Sequence, residues 1–89
     1  RLKRKILMHN RIKQSFDKQG IMKTLNAQLA NVEKGQVKIT CDFSKALTQQ
    51  DDFFHAGVIT TIVDSACGYA ALTMMPENAR VLTVEFKVN

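Results

Sequence analysis

Hydrophobic residues recur along the chain with two different periods, and the change of period predicts the order of the elements. Over residues 5–18, Met8, Ile12 and Phe16 recur every four positions among polar neighbours, which predicts a helix. Residues 36–43 alternate between polar and apolar side chains, which predicts a strand with one buried face. The pattern therefore predicts a helix followed by at least one strand.

Weaker signals lie on both sides of this strand. Gly20 is expected to end the first helix. Residues 24–32 carry apolar side chains on one face, and Glu33-Lys34-Gly35 suits the turn of a hairpin that joins them to the strand over 36–43. Residues 80–88 alternate again and predict a further strand.

Residues 56–75 form a nearly continuous apolar stretch that is too long for one strand and is followed by Pro76. A membrane span must be considered at this length, but Asp64 would lie near its middle at a cost of about 2.5–3.5 kcal/mol. The alternating strands also need an apolar partner to cover. We therefore predict no membrane span, but a helix buried on most sides by a sheet, within an α+β fold.

Composition narrows the class of protein. The chain has 89 residues, enough for one domain, and Leu, Ile, Val and Phe make up 25 of them, so it is expected to fold. Cys41 and Cys67 cannot form a disulfide framework, which favours a reducing, cytoplasmic location. The cysteines and the two histidines fit no zinc-binding spacing, so no metal is expected.

Positive charge is concentrated at the beginning of the chain. Residues 1–23 hold eight Lys or Arg and one acid, whereas residues 24–89 hold five basic and seven acidic residues. A basic helix over residues 1–19 suits nucleic acid, a membrane surface, a targeting peptide, an anionic ligand or simply a solvated face. Nucleic acid is not expected as the partner, because it would leave the acidic residue of the apolar helix unexplained.

Asp64 is the unusual residue of the predicted apolar helix, because burying a charge without a partner is unfavourable. The residues on its helix face are small or polar: Gly57, Thr60, Thr61, Gly68 and Ala71. Such a face indicates that a ligand or a second copy of the helix approaches closely, or that the carboxylate is a structural group satisfied by a neighbour.

The start of the same helix offers a complementary group. The first N–H groups of a helix have no partner within it and carry partial positive charge, and Gly57 would let a ligand carbonyl approach the backbone. An oxyanion site there, with Asp64 about two turns later, would suit acyl transfer to water. His55 is interpreted either as a catalytic group or as a cap of the helix.

These residues resemble a known family. The sequence His55-Ala56-Gly57-Val58, followed by Asp64-Ser65-Ala66, resembles the hot-dog thioesterases of the phenylacetate-pathway (PaaI-like) type. Leu47-Thr48-Gln49-Gln50 and residues 81–89 resemble the same family, and the similarity extends from about Phe16 to the end. The commoner motif of the family is His-Gly-Gly, whereas an alanine holds the middle position here.

The resemblance implies a hot-dog fold, in which a curved antiparallel sheet wraps a long helix, and hydrolysis of acyl-coenzyme A thioesters. It also implies a homodimer or a dimer of dimers with its sites at the subunit interface, and no cofactor beyond the coenzyme A of the substrate. By position, Asp64 corresponds to the nucleophile or general base. Ala56 and Gly57 correspond to the oxyanion-binding backbone, Gln49 to the group that holds the carbonyl or water, and Thr83 to a support for the water.

The expected substrate-binding positions surround these groups: His55, Phe54, Thr60, Thr61 and Gly68. The resemblance also implies that the sheet continues beyond Asn89, so residues 1–89 are expected to form a single hot-dog domain that is incomplete at its C-terminus. Two alternatives stay open. One is a hot-dog hydratase, which is disfavoured because no histidine follows Asp64, and the other is a non-catalytic acyl-CoA-binding or dimerisation module.

Overall fold

Along the chain, a β-hairpin lies between two long helices. The structure, a computed structural model, describes residues 2–87 and Asn89. The elements are helix α1 (Leu2–Lys18), the short helix α2 (Gly20–Thr24), strands β1 (Ala27–Glu33) and β2 (Gln36–Cys41), a 3₁₀ turn (Lys45–Leu47) and helix α3 (Ala56–Leu72). The predicted α+β class is confirmed.

The chain changes direction between α1 and α2 one residue earlier than predicted. Gln19 has extended backbone angles, φ −76° and ψ 110°, and it ends α1 after Lys18. Gly20 is then the first residue of α2 instead of the end of α1. This short helix also delays β1, which begins at Ala27 and not at the predicted residue 24.

The hairpin has the turn that the sequence predicted. Strands β1 and β2 are antiparallel, with Glu33 opposite Gln36, and Gly35 has φ 77°, a left-handed conformation that favours glycine. A bulge follows Leu29 in β1, so the buried side passes from Leu29 to Val32, an odd number of residues later. Both side chains therefore reach the same core.

The core lies where α1, α2, the hairpin and the second half of α3 meet. Met8 packs at its edge, in the four-residue spacing that the sequence predicted for α1. Its buried members are Ile12, Phe16, Met22, Val32, Tyr69 and Leu72. The apolar face of α1 is thus confirmed as a core face.

Helix α3 begins at the predicted residue, but the prediction that it is buried on most sides is wrong. Ile59 and Val63 are 52% and 42% exposed, and Val58, Tyr69 and Leu72 are its buried residues. The reason is that the two-stranded hairpin covers one side of the helix. Among the described residues, no helix combines the length and the apolar composition needed to cross a membrane.

The predicted strand over residues 80–88 does not form in its described part, residues 80–87; Val88 lies outside the described residues. A strand needs hydrogen bonds to a neighbouring strand, and in the part of the chain that the structure describes β1 and β2 pair with each other alone. The apolar side chains of this alternating segment are therefore not buried: Leu82 is 86% exposed and Val84 is 91% exposed. The segment instead passes beside α3. Val81 lies so close to Gly68 that a Cβ at position 68 would be 3.6 Å from Val81 Cγ1.

The C-terminal end of α3 is held by residues that are distant in sequence. The Arg11 guanidinium donates from Nη2 to the carbonyls of Pro76, at 2.8 Å, and Ala79, at 3.1 Å. The Thr73 hydroxyl accepts a hydrogen bond from the Gly35 N–H at 2.7 Å, which ties the helix end to the hairpin turn. Helix α1 and the hairpin together therefore fix this end of α3.

Candidate active site

Asp64 is half-buried on α3 and lines an open cavity of about 700 Å³. The cavity lies between α1, α3 and residues 79–83, and the cationic side chains that line it belong to Arg11, Lys18 and Arg80. The carboxylate therefore faces an open space lined by both apolar and cationic side chains, and not the closed apolar interior that the sequence pattern indicated.

Thr83 is the hydrogen-bond partner of this carboxylate. Its Oγ1 donates to Asp64 Oδ1 at 2.6 Å, and among the described residues Oδ2 has no donor. Gly68 lines the same cavity, one helical turn after Asp64. The structure thus brings together three of the sequence-predicted residues, which we call the carboxylate group (Asp64, Thr83 and Gly68).

The start of α3 forms a second assembly. His55 is the N-cap residue, and its Nδ1 accepts a hydrogen bond from the Gly57 N–H at 2.8 Å. An imidazole nitrogen that accepts carries no proton, so the proton of the neutral ring lies on Nε2. Within the part of the chain that the structure describes, the Ala56 N–H has no acceptor.

Gln49 lies in the loop that precedes this helix start. Its Oε1 accepts hydrogen bonds from the N–H groups of Asp51 and Phe53, which leaves its Nε2 as a donor toward other groups. Phe54, in the same loop, stacks on Phe43 with ring centroids 5.6 Å apart. With the N-terminal residues of α3 these side chains make the helix-start group (Gln49, Phe54, His55, Ala56 and Gly57).

Thr60 and Thr61 lie on α3 between the two groups, and both are half-buried. Their hydroxyls donate to the carbonyls of Ala56, at 2.9 Å, and Gly57, at 2.8 Å. The hydroxyl protons are therefore used within the helix, and each oxygen keeps its capacity to accept.

The two groups do not meet within one chain. Asp64 follows Ala56 by eight residues, and a rise of 1.5 Å per residue separates them by about 12 Å along the helix axis. The cavity extends from Asp64 toward Leu72 and does not include Ala56 or Gly57 among its lining residues. One thioester carbonyl is too small to contact both groups of the same chain.

Sequence reasoning missed a hydrogen-bonded network beside the carboxylate group. Gln19 Nε2 donates to Tyr69 Oη at 2.7 Å, Ser15 Oγ lies 3.0 Å from the same oxygen, and Ser65 Oγ donates to Gln19 Oε1 at 3.4 Å. The available signal is the four-residue spacing of Ser15, in the last turn of α1, and Gln19, directly after it.

The arrangement offers a carboxylate that can act as a base or a nucleophile, and backbone and amide donors that can bind an oxyanion. Among residues 2–87 and Asn89, no cluster of three or more His, Cys, Asp or Glu side chains is placed to hold a metal ion.

Two known proteins, a thioesterase family protein and a provisionally named esterase, are similar to this chain. A crystal structure of a thioesterase family protein from Silicibacter pomeroyi matches the fold with a TM-score of 0.88 and 48% sequence identity, over 92% of this chain and 60% of that chain. A curated protein of Saccharolobus solfataricus, provisionally named as an esterase, is 32% identical over 69 residues, which are 78% of this chain. No protein-family model matches the chain.

The chain spans 49% of the length of the curated relative and 60% of the crystallised one. Within that span the α+β arrangement matches part of a hot-dog thioesterase fold. The predicted resemblance to thioesterases is thus confirmed at the level of sequence and fold: over the matched residues, this chain is similar to a thioesterase family protein.

Proposed function

We propose that the protein hydrolyses acyl-coenzyme A thioesters to the free acid and coenzyme A. The observation that carries the proposal is the half-buried Asp64 carboxylate, which Thr83 holds at the edge of an open cavity on a chain 48% identical to a thioesterase family protein. The thioesterase relative supports hydrolysis of thioesters in general, and the resemblance of the motif around His55 and Asp64 supports coenzyme A as the thiol part.

In this proposal the free Oδ2 of Asp64 takes a proton from the attacking water or itself attacks the thioester carbonyl. The hydrogen bond from Thr83 keeps the carboxylate in one orientation. The negative charge that develops on the carbonyl oxygen is stabilised by backbone N–H at the start of α3 and by Gln49 Nε2, and the coenzyme A thiolate leaves. No cofactor beyond the substrate's own coenzyme A is needed for these steps.

A homodimer completes the site in this proposal, because the helix-start group lies about 12 Å along α3 from Asp64 of the same chain. Two antiparallel copies of α3 related by a twofold axis at Thr60 would place residue 56 of one copy opposite residue 64 of the other. The small and polar face around Thr60, Thr61 and Gly57 suits such a close approach. A dimer of dimers would keep the same pairing.

One further observation fits a coenzyme A ester as the substrate. Lys18 and Arg80 add positive charge to the cavity beside Asp64, and positive charge attracts the phosphates of coenzyme A. Cys41 and Cys67 are free thiols, which suits a reducing, cytoplasmic location.

The direct test is a thiol-release assay on the full chain across a panel of acyl-coenzyme A esters. Asp64→Asn keeps an oxygen that accepts from Thr83 but loses the base, so we expect kcat to fall by about 10²–10⁴ in a protein that stays folded. Turnover unchanged in the folded variant would contradict the proposal. Calorimetry that detects bound but unconsumed acyl-coenzyme A would favour a binding module instead.

Subunit complementation tests whether two chains share the site. Asp64→Asn chains keep the helix-start donor but lack the base, and Ala56→Pro chains keep the carboxylate but lack the N–H of residue 56, so each variant alone is expected to lose most of its activity. After mixing in equal amounts, half of the dimers are mixed and each holds one intact site, which restores roughly a quarter of wild-type turnover. Mixed samples that stay inactive although they exchange subunits would contradict a shared site.

A further inference from the structure

The first turns of α1 lie outside the core that the rest of the helix builds. Ile12 and Phe16 are the core members of α1, and Met8 packs against that core at its edge. Residues 2–7, which precede Met8, are all exposed. At about 1.5 Å per residue they extend the helix by about 9 Å past the core. These residues, which we call the α1 extension, are therefore open to contact with another surface.

The α1 extension carries three large apolar side chains in water. Leu2 is 71% exposed, and Ile6 and Leu7 are each 52% exposed. At about 100° per residue, Ile6 and Leu7 lie about 120° and about 140° around the helix from Ile12, so they do not continue its core face. One exposed leucine is ordinary on a protein surface, but three such side chains within two turns of one helix form an apolar patch.

Positive charge is interleaved with this patch. Lys3, Arg4 and Lys5 lie between its apolar residues, and no acidic residue precedes Asp17 in the sequence. Among the described residues, the ion pair that α1 makes joins Lys13 to Asp17, one turn before its end. Within the described chain, no ion pair therefore neutralises the charges of the α1 extension.

This combination favours a lipid surface over other anionic partners. At the boundary between headgroups and acyl chains, apolar side chains leave water while Lys and Arg contact anionic headgroups. Nucleic acid would pair with the charges but leave the apolar side chains in water, and the extension has no aromatic side chain to stack on a base. A second copy of the extension would bring like charges together.

We propose that the α1 extension is a docking surface for an anionic lipid membrane. The helix lies along the membrane, its apolar side chains enter the headgroup region, and its Lys and Arg side chains contact the anionic headgroups. The contact is peripheral and reversible, because about 9 Å of helix buries little apolar area and is far shorter than a bilayer. Docking of this kind does not require thioester hydrolysis.

Co-sedimentation of the full chain with lipid vesicles tests the docking. We expect the chain to bind phosphatidylcholine vesicles that contain about one third phosphatidylglycerol at least tenfold more tightly than pure phosphatidylcholine vesicles. Raising the salt concentration from about 0.1 M to about 1 M shortens the Debye length from about 10 Å to about 3 Å and should release most of the chain. Equal binding to both kinds of vesicle, or binding to neither, would overturn the proposal.

A charge variant tests whether the α1 extension supplies the attraction. It replaces the three basic residues of the extension: Lys3→Gln, Arg4→Gln and Lys5→Gln. The control removes the same charge from three exposed lysines elsewhere: Lys34→Gln, Lys38→Gln and Lys45→Gln. Each basic residue at the membrane surface strengthens binding about fivefold, so the first variant should bind anionic vesicles about 10²-fold more weakly and the control less than about fivefold more weakly. Equal losses would overturn a specific docking surface.

An apolar variant separates lipid from nucleic acid. Ile6→Gln with Leu7→Gln keeps the charge and the helix propensity of the α1 extension, and should weaken vesicle binding by about tenfold for each residue. Met74→Gln with Val84→Gln is the control, since these side chains are 60% and 91% exposed outside α1. Unchanged vesicle binding in the first variant would overturn the proposal. So would tighter binding of the wild-type chain to duplex DNA than to anionic vesicles at the same salt concentration.

Fluorescence locates the contact on the chain. The sequence contains no tryptophan, so Leu7→Trp introduces a single reporter in the α1 extension. Its emission should shift to shorter wavelength when anionic vesicles are added, because the indole leaves water, whereas the emission of Val84→Trp should not shift. A Leu7→Trp chain that sediments with the vesicles without a shift would show that another part of the molecule makes the contact, and would overturn the assignment.

Discussion

The two ends of α3 are held in place by different kinds of contact. At the C-terminal end, Tyr69 and Leu72 are buried in the core, and Arg11 and Thr73 bind carbonyl and N–H groups of other segments. At the N-terminal end, the Gly57 N–H is capped by His55, only two residues away.

This difference indicates that the C-terminal end of α3 contributes mainly to stability and the N-terminal end to the proposed chemistry. The end with distant partners holds α1, the hairpin and α3 together within a single chain. At the other end the Ala56 N–H has no acceptor among the described residues and Ile59 is 52% exposed, so this end contributes less to the core and has a donor left for a substrate. Substitutions at the two ends should therefore have unequal effects on stability and rate.

The largest effect on stability is expected at the C-terminal end of α3. Leu72 is 7% exposed, so Leu72→Ala should leave a cavity and lower the free energy of unfolding by about 2–5 kcal/mol. Ile59→Ala, at the exposed end, should change it by no more than about 0.5 kcal/mol. Urea denaturation of both variants measures the contrast, and equal losses would show that the two ends are packed alike.

Removal of the Arg11 guanidinium should have the next largest effect. Arg11→Met keeps the apolar stem but loses the hydrogen bonds to Pro76 and Ala79, and we expect a loss of about 1–2 kcal/mol because the site is only partly buried. Arg11→Lys should not rescue it, since a single ammonium cannot span the carbonyls that the guanidinium binds. Lys13→Met, which breaks an exposed ion pair with Asp17, is the control and should cost less than about 0.5 kcal/mol.

The middle of α3 should respond in rate and not in stability. Thr83→Val removes the donor to Asp64 Oδ1, and the loss of about 0.5–1.5 kcal/mol of orientation corresponds to a decrease in kcat of roughly two- to tenfold. Thr83→Ser keeps the hydroxyl and serves as the control in steady-state kinetics. A valine variant as fast as the serine variant would mean that this hydrogen bond does not orient the base.

The smallest effect is expected at Gly68, and its sign is informative. A Cβ there would lie 3.6 Å from Val81 Cγ1, an ordinary contact, so Gly68→Ala should stabilise a single chain by about 0.5–1 kcal/mol through higher helix propensity. Thermal unfolding measures the change. A destabilised variant would indicate that another element packs against this face in the assembled protein.

Local periodicity was sufficient for the elements that are stabilised by their own sequence. The start of α3 at Ala56, the core face of α1 and the turn at Gly35 were all predicted, because helix and turn conformations depend on nearby residues. Residues 80–87 show the limit of the method, since alternation describes a strand only when another strand is present to pair with it.

The family resemblance named residues for the candidate site but said nothing of their arrangement. The family resemblance singled out both Asp64 and Thr83, which the structure places in contact. The separation of Asp64 from Ala56 depends on helix geometry and on which N–H the His55 ring occupies. The position of Tyr69 against α1 depends on tertiary packing, which no spacing along the chain records.

The bonds from Arg11 to the loop after α3 also constrain how the molecule is made. The loop carbonyls that it binds lie 64 to 68 residues further along the chain. During synthesis α1 leaves the ribosome first, but its core neighbours Tyr69 and Leu72 are translated much later. Until those residues are made, Ile12 and Phe16 lack part of the core that covers them in the folded chain. The first 23 residues hold eight basic residues and one acid, and we expect this net positive charge to oppose association of the uncovered segment.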